Sequence, residues 1–238
     1  MASGLILGHH GSMSSWQPPD MAEMRVSYDN GTLAEADLAD TPLLQFAAWL
    51  EAARAGGLPE PNAMVLATVD SAGTPTTRTV LLKGVDPRGF TFFTNYTSRK
   101  AEQMAGNPRV SLCFPWIVMH RQVTVVGTVE KLPEEESSEY FDSRPHGSRL
   151  AAWTSRQSRE LSERAELERR YDEVSHRWPE GVDPPRPDFW GGYLVRPESV
   201  EFWQGRVSRL HDRLRFTASD SSAALDDPAA WRVSRLWP

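Results

Sequence analysis

The sequence predicts a mainly β protein with flanking helices, an α+β chain built on an antiparallel sheet or barrel. Two observations carry this. Short runs rich in valine, threonine and phenylalanine follow one another across turns too brief for the crossover that parallel strands need. Helical patterns gather at the flanks of these runs instead of alternating with them. The βαβ rhythm of a dinucleotide fold is therefore missing, and with it any G-x-G-x-x-G or Walker loop.

Each element has a local reason. Thr41-Pro42 opens a helix, with Thr41 as cap and Pro42 at the first helical position. Leu43, Phe46, Ala47 and Leu50 follow at helical spacing, and Gly56-Gly57 ends it. Residues 63–70 then read as a strand, 71–75 as a turn and 76–85 as a second strand. A turn at 86–89 leads to a third strand, 90–94. Ser98 caps a short helix that stops before Asn107-Pro108. Strands at 110–116 and 122–132 come next, then a helix at 134–143. Residues 158–178, crowded with Glu/Arg pairs, read as a charged helix with a solvated face. The segment 178–188 holds four prolines and is a loop. Strands return at 193–196, 200–204, 209–217 and 231–236.

Bulk properties narrow the function. A chain of 238 residues, 39% apolar, can bury one substantial core or two small ones. Net charge −6 and the lack of a long basic run argue against a nucleic-acid surface. Cys113 is the only cysteine, so neither an internal disulfide nor a cysteine-based zinc site can form, which fits a reducing cytoplasm. The six histidines show no H-x-x-x-H or H-E-x-x-H spacing, so no metal site is expected. No apolar stretch approaches the ~20 residues of a membrane helix. The one boundary suggested lies near residue 24. Residues 1–24 read as an N-terminal extension, disordered or partly tag-derived, and 25–238 as one domain.

Positive charge is written almost entirely as arginine, yet two of the three lysines, Lys83 and Lys100, lie in short segments that also hold an arginine: 78–83 and Ser98-Arg99-Lys100. At a helix start, free N–H groups, the Ser98 hydroxyl and two cations suit a phosphate; a solvated basic turn is the bland alternative. Tyr140 and Arg144 are four apart, on one helix face, and Ser148 follows. A phenol, a guanidinium and a hydroxyl there can bind a second phosphate, or can be a half-buried core residue and a surface ion pair. In a strand, Arg209, His211 and Arg213 would share one face, which is costly unless it is wet or meets an anion. A solvent-facing edge strand is the alternative. Gln122, Gln157 and Ser158 are uncharged donors and acceptors, and Trp203 is as readily core as a stacking partner. No G-x-S-x-G elbow supports a serine hydrolase, so hard chemistry would belong to a bound organic cofactor.

Twelve ordered segments carry a resemblance. They are Arg25-Val-Ser-Tyr28, Arg78-Thr-Val-Leu-Leu-Lys83, Gly89-Phe-Thr-Phe-Phe-Thr-Asn95, Ser98-Arg-Lys100, Asn107-Pro108 and Arg121-Gln-Val123. Tyr140-Phe-Asp-Ser-Arg-Pro145, Gln157-Ser158, Trp190-Gly-Gly-Tyr193, Glu201-Phe-Trp-Gln-Gly205, Arg209-Leu-His-Asp-Arg213 and Arg235-Leu-Trp-Pro238 complete the set. Over 25–238 the chain resembles the pyridoxine/pyridoxamine 5′-phosphate oxidase family.

The resemblance implies an FMN-binding split β-barrel, antiparallel, working as a homodimer with FMN at the subunit interface and C-terminal dimerisation strands. It implies an FMN site of Arg78, Lys83, Phe93, Thr94, Arg99, Lys100, Gln122, Gln157, Ser158, Trp203 and Arg213, with Arg99 and Lys100 on the FMN phosphate. Lys83, Tyr140, Arg144 and Ser148 would hold the substrate phosphate. Arg209 and His211, the catalytic pair, would sit over the pyridine ring, and Arg25 and Tyr28 would help close the site. The implied reaction oxidises pyridoxine 5′-phosphate or pyridoxamine 5′-phosphate to pyridoxal 5′-phosphate, with molecular oxygen reduced to hydrogen peroxide. Three positions depart from the family pattern: Phe93 stands for tyrosine, Thr124 for a common arginine and Trp237 for a smaller residue. The competing readings are a split-barrel flavin or deazaflavin reductase with another substrate, and a non-catalytic binder of pyridoxal phosphate. The first would lack the Tyr140/Arg144/Ser148 and Arg209/His211 sets, and the second would need no flavin contacts.

Overall fold

The computed structural model describes residues 26–28 and 31–238. Its strands are β1 Ala63–Val69, β2 Pro75–Leu81, β3 Gly84–Asp86, β4 Gly89–Asn95, β5 Arg109–Trp116, β6 Arg121–Lys131, β7 Trp190–Gln204, β8 Asp212–Ala218 and β9 Trp231–Arg235. They form one sheet in the order β2-β1-β5-β6-β7-β4-β3, with β8 pairing β7 and β9 pairing β8. Every pairing is antiparallel, as the short turns require. The helices are α1 Pro42–Ala55, α2 Arg99–Gly106, α3 Glu134–Asp142, α4 His146–Thr154 and α5 Arg164–Arg177. Among the described residues no helix is long and apolar enough to cross a membrane.

Helix α1 closes the barrel core. Thr41 Oγ1 accepts the Leu44 N–H at 3.2 Å and Pro42 fills the first helical position. Phe46, Trp49 and Ala53 then recur on one buried face. Phe46 meets Phe90 and Phe114 edge-on, each at 5.0 Å, and Trp49 meets Phe202 at 5.3 Å. These rings come from strands remote in sequence, so their packing sets which sheet faces converge.

The structure departs from the sequence reading in five places. The expected strand 76–85 is two strands that serve opposite sheet edges. Leu82 N–H still reaches back to Asn62 O at 2.9 Å, but Lys83 N–H donates to Thr91 O at 2.8 Å. The chain changes partner between these residues, which local propensity does not encode. Strands expected at 193–196 and 200–204 are one continuous β7. It runs through Pro197, opposite the register shift at Val126/Gly127, where a ladder N–H is not needed. Helix α4 was not anticipated, and Ser148 lies inside its first turn, with Pro145 at the cap. The charged helix starts at Arg164, after an extended cap at Glu163; Ser158, with a left-handed φ of 72°, lies outside it. The strand expected from 209 starts at Asp212, because Ser208 and Arg209 have φ of 56° and 61° and turn the chain.

Candidate active site

The predicted site residues fall into two groups. The first surrounds two adjoining cavities that share Phe93, Thr94 and Gln157 as a common wall. One, of about 780 Å³, is lined by Arg78 on β2, Arg99 and Lys100 on α2, and Ser158. The other, of about 370 Å³, is lined by Lys83, Tyr140, Arg144 and Trp190. Lys83 lines only the second. Ser148, one turn into α4, does not line it.

Lys100 is 8% exposed. Its Nζ donates to Gln157 Oε1 at 2.7 Å, Thr94 Oγ1 at 3.1 Å and Ser98 Oγ at 3.3 Å. Ser98 thus serves the ammonium, and its side chain makes no capping bond to α2. Burial, with Arg78 adding repulsion, pulls the Lys100 pKa down to about 8. Arg78 is held by Thr68 Oγ1 and Thr76 Oγ1, both at 2.7 Å, and by Leu66 O at 3.1 Å. Burial lowers its pKa too, and Arg99 adds to the effect.

The second cavity has an aromatic wall. Phe93 stacks on Tyr140 at 3.8 Å and on Trp190 at 5.5 Å. The phenyl ring at 93 therefore serves as a packing surface. Arg144 lies just past the end of α3, not on a helix face shared with Tyr140, yet both reach the cavity. Its guanidinium sits 4.6 Å over the Trp190 ring, and its Nη1 is buried with no hydrogen-bond partner among the described residues. Burial lowers its pKa.

Charge pairing sets these cavity-lining cations apart from several other arginines, though not from Arg121, which bonds Gln204 Oε1 at 2.8 Å outside both cavities. Arg186, with a side chain 9% exposed, is paired with the Glu134 carboxylate, and Arg88, Arg213 and Arg235 also have carboxylate partners. Among the described residues Arg78, Lys100 and Arg144 have neutral partners or open valences instead. Buried or half-buried positive charge left uncompensated at a cavity wall suits an anion.

The second group sits on the opposite end of β7. Gln122 pairs with Trp203, and Trp203 with Arg213, so the three stand abreast on β6, β7 and β8. The His211 ring lies 4.6 Å from Trp203 and 5.8 Å from Tyr28. His211 precedes β8 and Arg209 lies in the left-handed turn, so strand alternation does not bring them together with Arg213. That expectation is corrected; the turn does the placing. His211 Nδ1 accepts the Arg206 N–H at 3.0 Å, so the neutral ring carries its proton on Nε2. Burial, then Arg209, lowers its pKa. Arg213 binds Glu201 at 2.8 Å and Trp237 O at 2.9 Å. Arg25 lies outside the described residues.

The wall residue Phe93 pairs with Gly192 on β7, whereas the second group centres on Trp203. At about 3.3 Å per residue these points are on the order of 35 Å apart along the strand. One chain therefore does not gather all the residues around one ligand. Sequence reasoning missed Gln103 and gave Trp190 no role; the only signal for Gln103 was its spacing from Arg99 and Lys100 on α2.

The family model described as pyridoxamine 5′-phosphate oxidase matches residues 50–178, over half of the chain. The chain belongs to the pyridoxamine 5′-phosphate oxidase family. A second model, the pyridoxine 5′-phosphate oxidase C-terminal dimerisation region, matches residues 190–238 and supports a homodimer. The chain is 51% identical over 218 residues to the pyridoxine/pyridoxamine 5′-phosphate oxidase of Burkholderia thailandensis, covering 92% of this chain and 99% of the relative. The Burkholderia mallei protein of the same name is 50% identical over the same shares. Among solved structures, PhzG from Burkholderia lata in complex with tetrahydrophenazine-1-carboxylic acid aligns with a TM-score of 0.78 at 29% identity, covering 90% of this chain and all of that one. An FMN-binding, oxidase-related protein from Nostoc punctiforme aligns at 0.64 with 18% identity, covering 87% of this chain and 100% of that one, a likeness of fold. The sheet is that of the family's split barrel.

Proposed function

We propose that residues 25–238 form one FMN-dependent oxidase domain that converts pyridoxine 5′-phosphate and pyridoxamine 5′-phosphate to pyridoxal 5′-phosphate, with oxygen as acceptor and hydrogen peroxide as product. The observation that carries this is the pair of adjoining cavities, each lined by a buried or half-buried cation without a carboxylate partner among the described residues: Lys100 and Arg78 in one, Arg144 in the other. Two phosphate-bearing ligands side by side fit that arrangement. When bound, FMN supplies the two-electron acceptor for oxidation at the substrate's C4′ and the route to oxygen.

The chain's own residues bind and orient. Arg78, Arg99, Lys100 and Ser158 hold the FMN phosphate and ribityl end, with Thr94 and Gln157 bracing Lys100. Lys83, Tyr140 and Arg144 anchor the substrate phosphate; Ser148, outside the cavity lining, is assigned to it by the resemblance alone. Remote anchoring of this kind orients the reacting carbon, and orientation can be worth about 7–11 kcal/mol in the best cases. Gln122, Trp203 and Arg213 meet the flavin, and Arg209 and His211 the pyridine ring, from the other protomer of the homodimer. That assignment follows from their distance along β7 and from the dimerisation region. Neutral His211 presents Nε2–H as a donor, so it orients substrate and is not the obligatory base. Tyr28 closes the site over His211, and the resemblance assigns Arg25 to the same closure. A reducing cytoplasm suits a chain with one cysteine.

Aerobic turnover tests this reading. Pyridoxamine 5′-phosphate should yield pyridoxal 5′-phosphate and hydrogen peroxide in equal amounts. PhzG was solved with a tricyclic carboxylic acid, and a carboxylate also needs a cation. Oxidation of such an acid in preference to the phosphorylated pyridines would replace the proposal with a PhzG-like one.

A further inference from the structure

We propose that Gln103 is a positioning residue that aims Arg78 at the FMN phosphate while leaving the arginine's charge uncompensated. The proposal rests on the flavin reading above. Gln103 lies on α2, 6% exposed, behind the cavity wall. Its Oε1 receives Thr68 Oγ1 at 2.6 Å, Thr76 Oγ1 at 2.8 Å and Arg78 Nη2 at 3.3 Å.

The guanidinium sets the donor and acceptor roles in this cluster. A guanidinium only donates, so both threonine hydroxyls accept from Arg78. Each hydroxyl has one hydrogen left, and Gln103 Oε1, at 2.6 and 2.8 Å, is a nearer acceptor for it than the other hydroxyl at 3.4 Å. The amide must therefore turn its oxygen to the cluster. Its Nε2 is left buried with no partner among the described residues, a cost borne to keep the oxygen in place.

The residue type matters as much as the geometry. A glutamate would accept the same three hydrogen bonds but would neutralise Arg78 through a salt bridge, as Glu134 does for Arg186. A leucine would fill the space but leave the threonine hydroxyls without their acceptor. Glutamine alone among these three supplies an acceptor without charge. Arg78 then keeps both its orientation and its full charge for an anion in the cavity it lines.

The test compares two flavins that differ only in the phosphate. The full-length chain, freed of flavin, is titrated with FMN and with riboflavin by fluorescence quenching. In Gln103→Glu and Gln103→Leu, FMN affinity should fall about tenfold while riboflavin affinity stays within about twofold. Gln103→Glu is nearly isosteric and keeps the test open if the leucine variant does not fold. An unchanged FMN-to-riboflavin ratio in Gln103→Glu would overturn the proposal. So would an equal loss for both flavins, the mark of a merely structural role. If wild type shows no preference for FMN over riboflavin, the phosphate site itself fails and this proposal fails with it.

Discussion

Lys100 Nζ and Gln157 Oε1 meet at 2.7 Å, joining the first turn of α2 to the segment after α4. A buried ammonium thus rests on a neutral amide oxygen. The pairing keeps the lysine in place and its charge available. Because burial holds the Lys100 pKa near 8, part of that charge is lost within the working range of many enzymes.

The first prediction follows from that value. The folded pKa of about 8 lies below the ordinary 10.5, so the flavin-free protein gains stability as pH rises between those two values. A bound phosphate favours the charged lysine, so FMN affinity has the opposite trend. It should be level between pH 7 and 8 and fall above 8, by up to about tenfold per pH unit. Lys100→Met should bind FMN more weakly and flatten the profile. A level wild-type profile to pH 9.5 would contradict the role of Lys100.

Arg144 should act on substrate and not on flavin. Arg144→Ala should raise the KM for pyridoxamine 5′-phosphate about ten- to hundredfold, the cost of losing charge-assisted hydrogen bonds. FMN content should stay normal. Wild type should use unphosphorylated pyridoxine poorly. Equal use of both substrates would end the phosphate-anchor argument.

Arg209 should behave in the opposite sense. Arg209→Ala should slow flavin reduction at least about tenfold in stopped flow, with FMN retained. Loss of FMN with normal reduction of the remainder would move Arg209 into the cofactor site.

Much of the fold was legible, and the reasons are local. The cap at Thr41, the glycines after α1, the turns around β1 and the proline-rich loop before β7 all act through neighbouring residues. What was not legible depends on remote partners. The switch from β1 to β4 between Leu82 and Lys83 is decided by which strand edge lies beside each residue. Pro197 reads as a strand breaker until the register shift opposite it is seen. Ser208 and Arg209 take left-handed φ without a glycine to announce it. The candidate site residues were proposed from residue types and motifs. Their placement at two ends of β7 was not legible, because spacing in sequence carries no information on where the strand runs in the sheet.

Gly127 offers a test of the fold. A Cβ there would lie 2.0 Å from Arg196 O, on the backbone of the adjacent strand. Gly127→Ala should lower stability by about 1–3 kcal/mol, read as a reduced Tm in thermal unfolding. An unchanged Tm would mean that β6 and β7 do not approach so closely at the register shift.

In the proposed function, one cavity presents an oxidisable pyridine phosphate to a flavin in the other. Anaerobic mixing of the purified holoprotein with pyridoxamine 5′-phosphate measures this directly. The oxidised FMN spectrum should bleach and then recover on admitting oxygen, and pyridoxal 5′-phosphate should form. A holoprotein whose flavin spectrum stays unchanged with pyridoxamine 5′-phosphate and pyridoxine 5′-phosphate alike would contradict it.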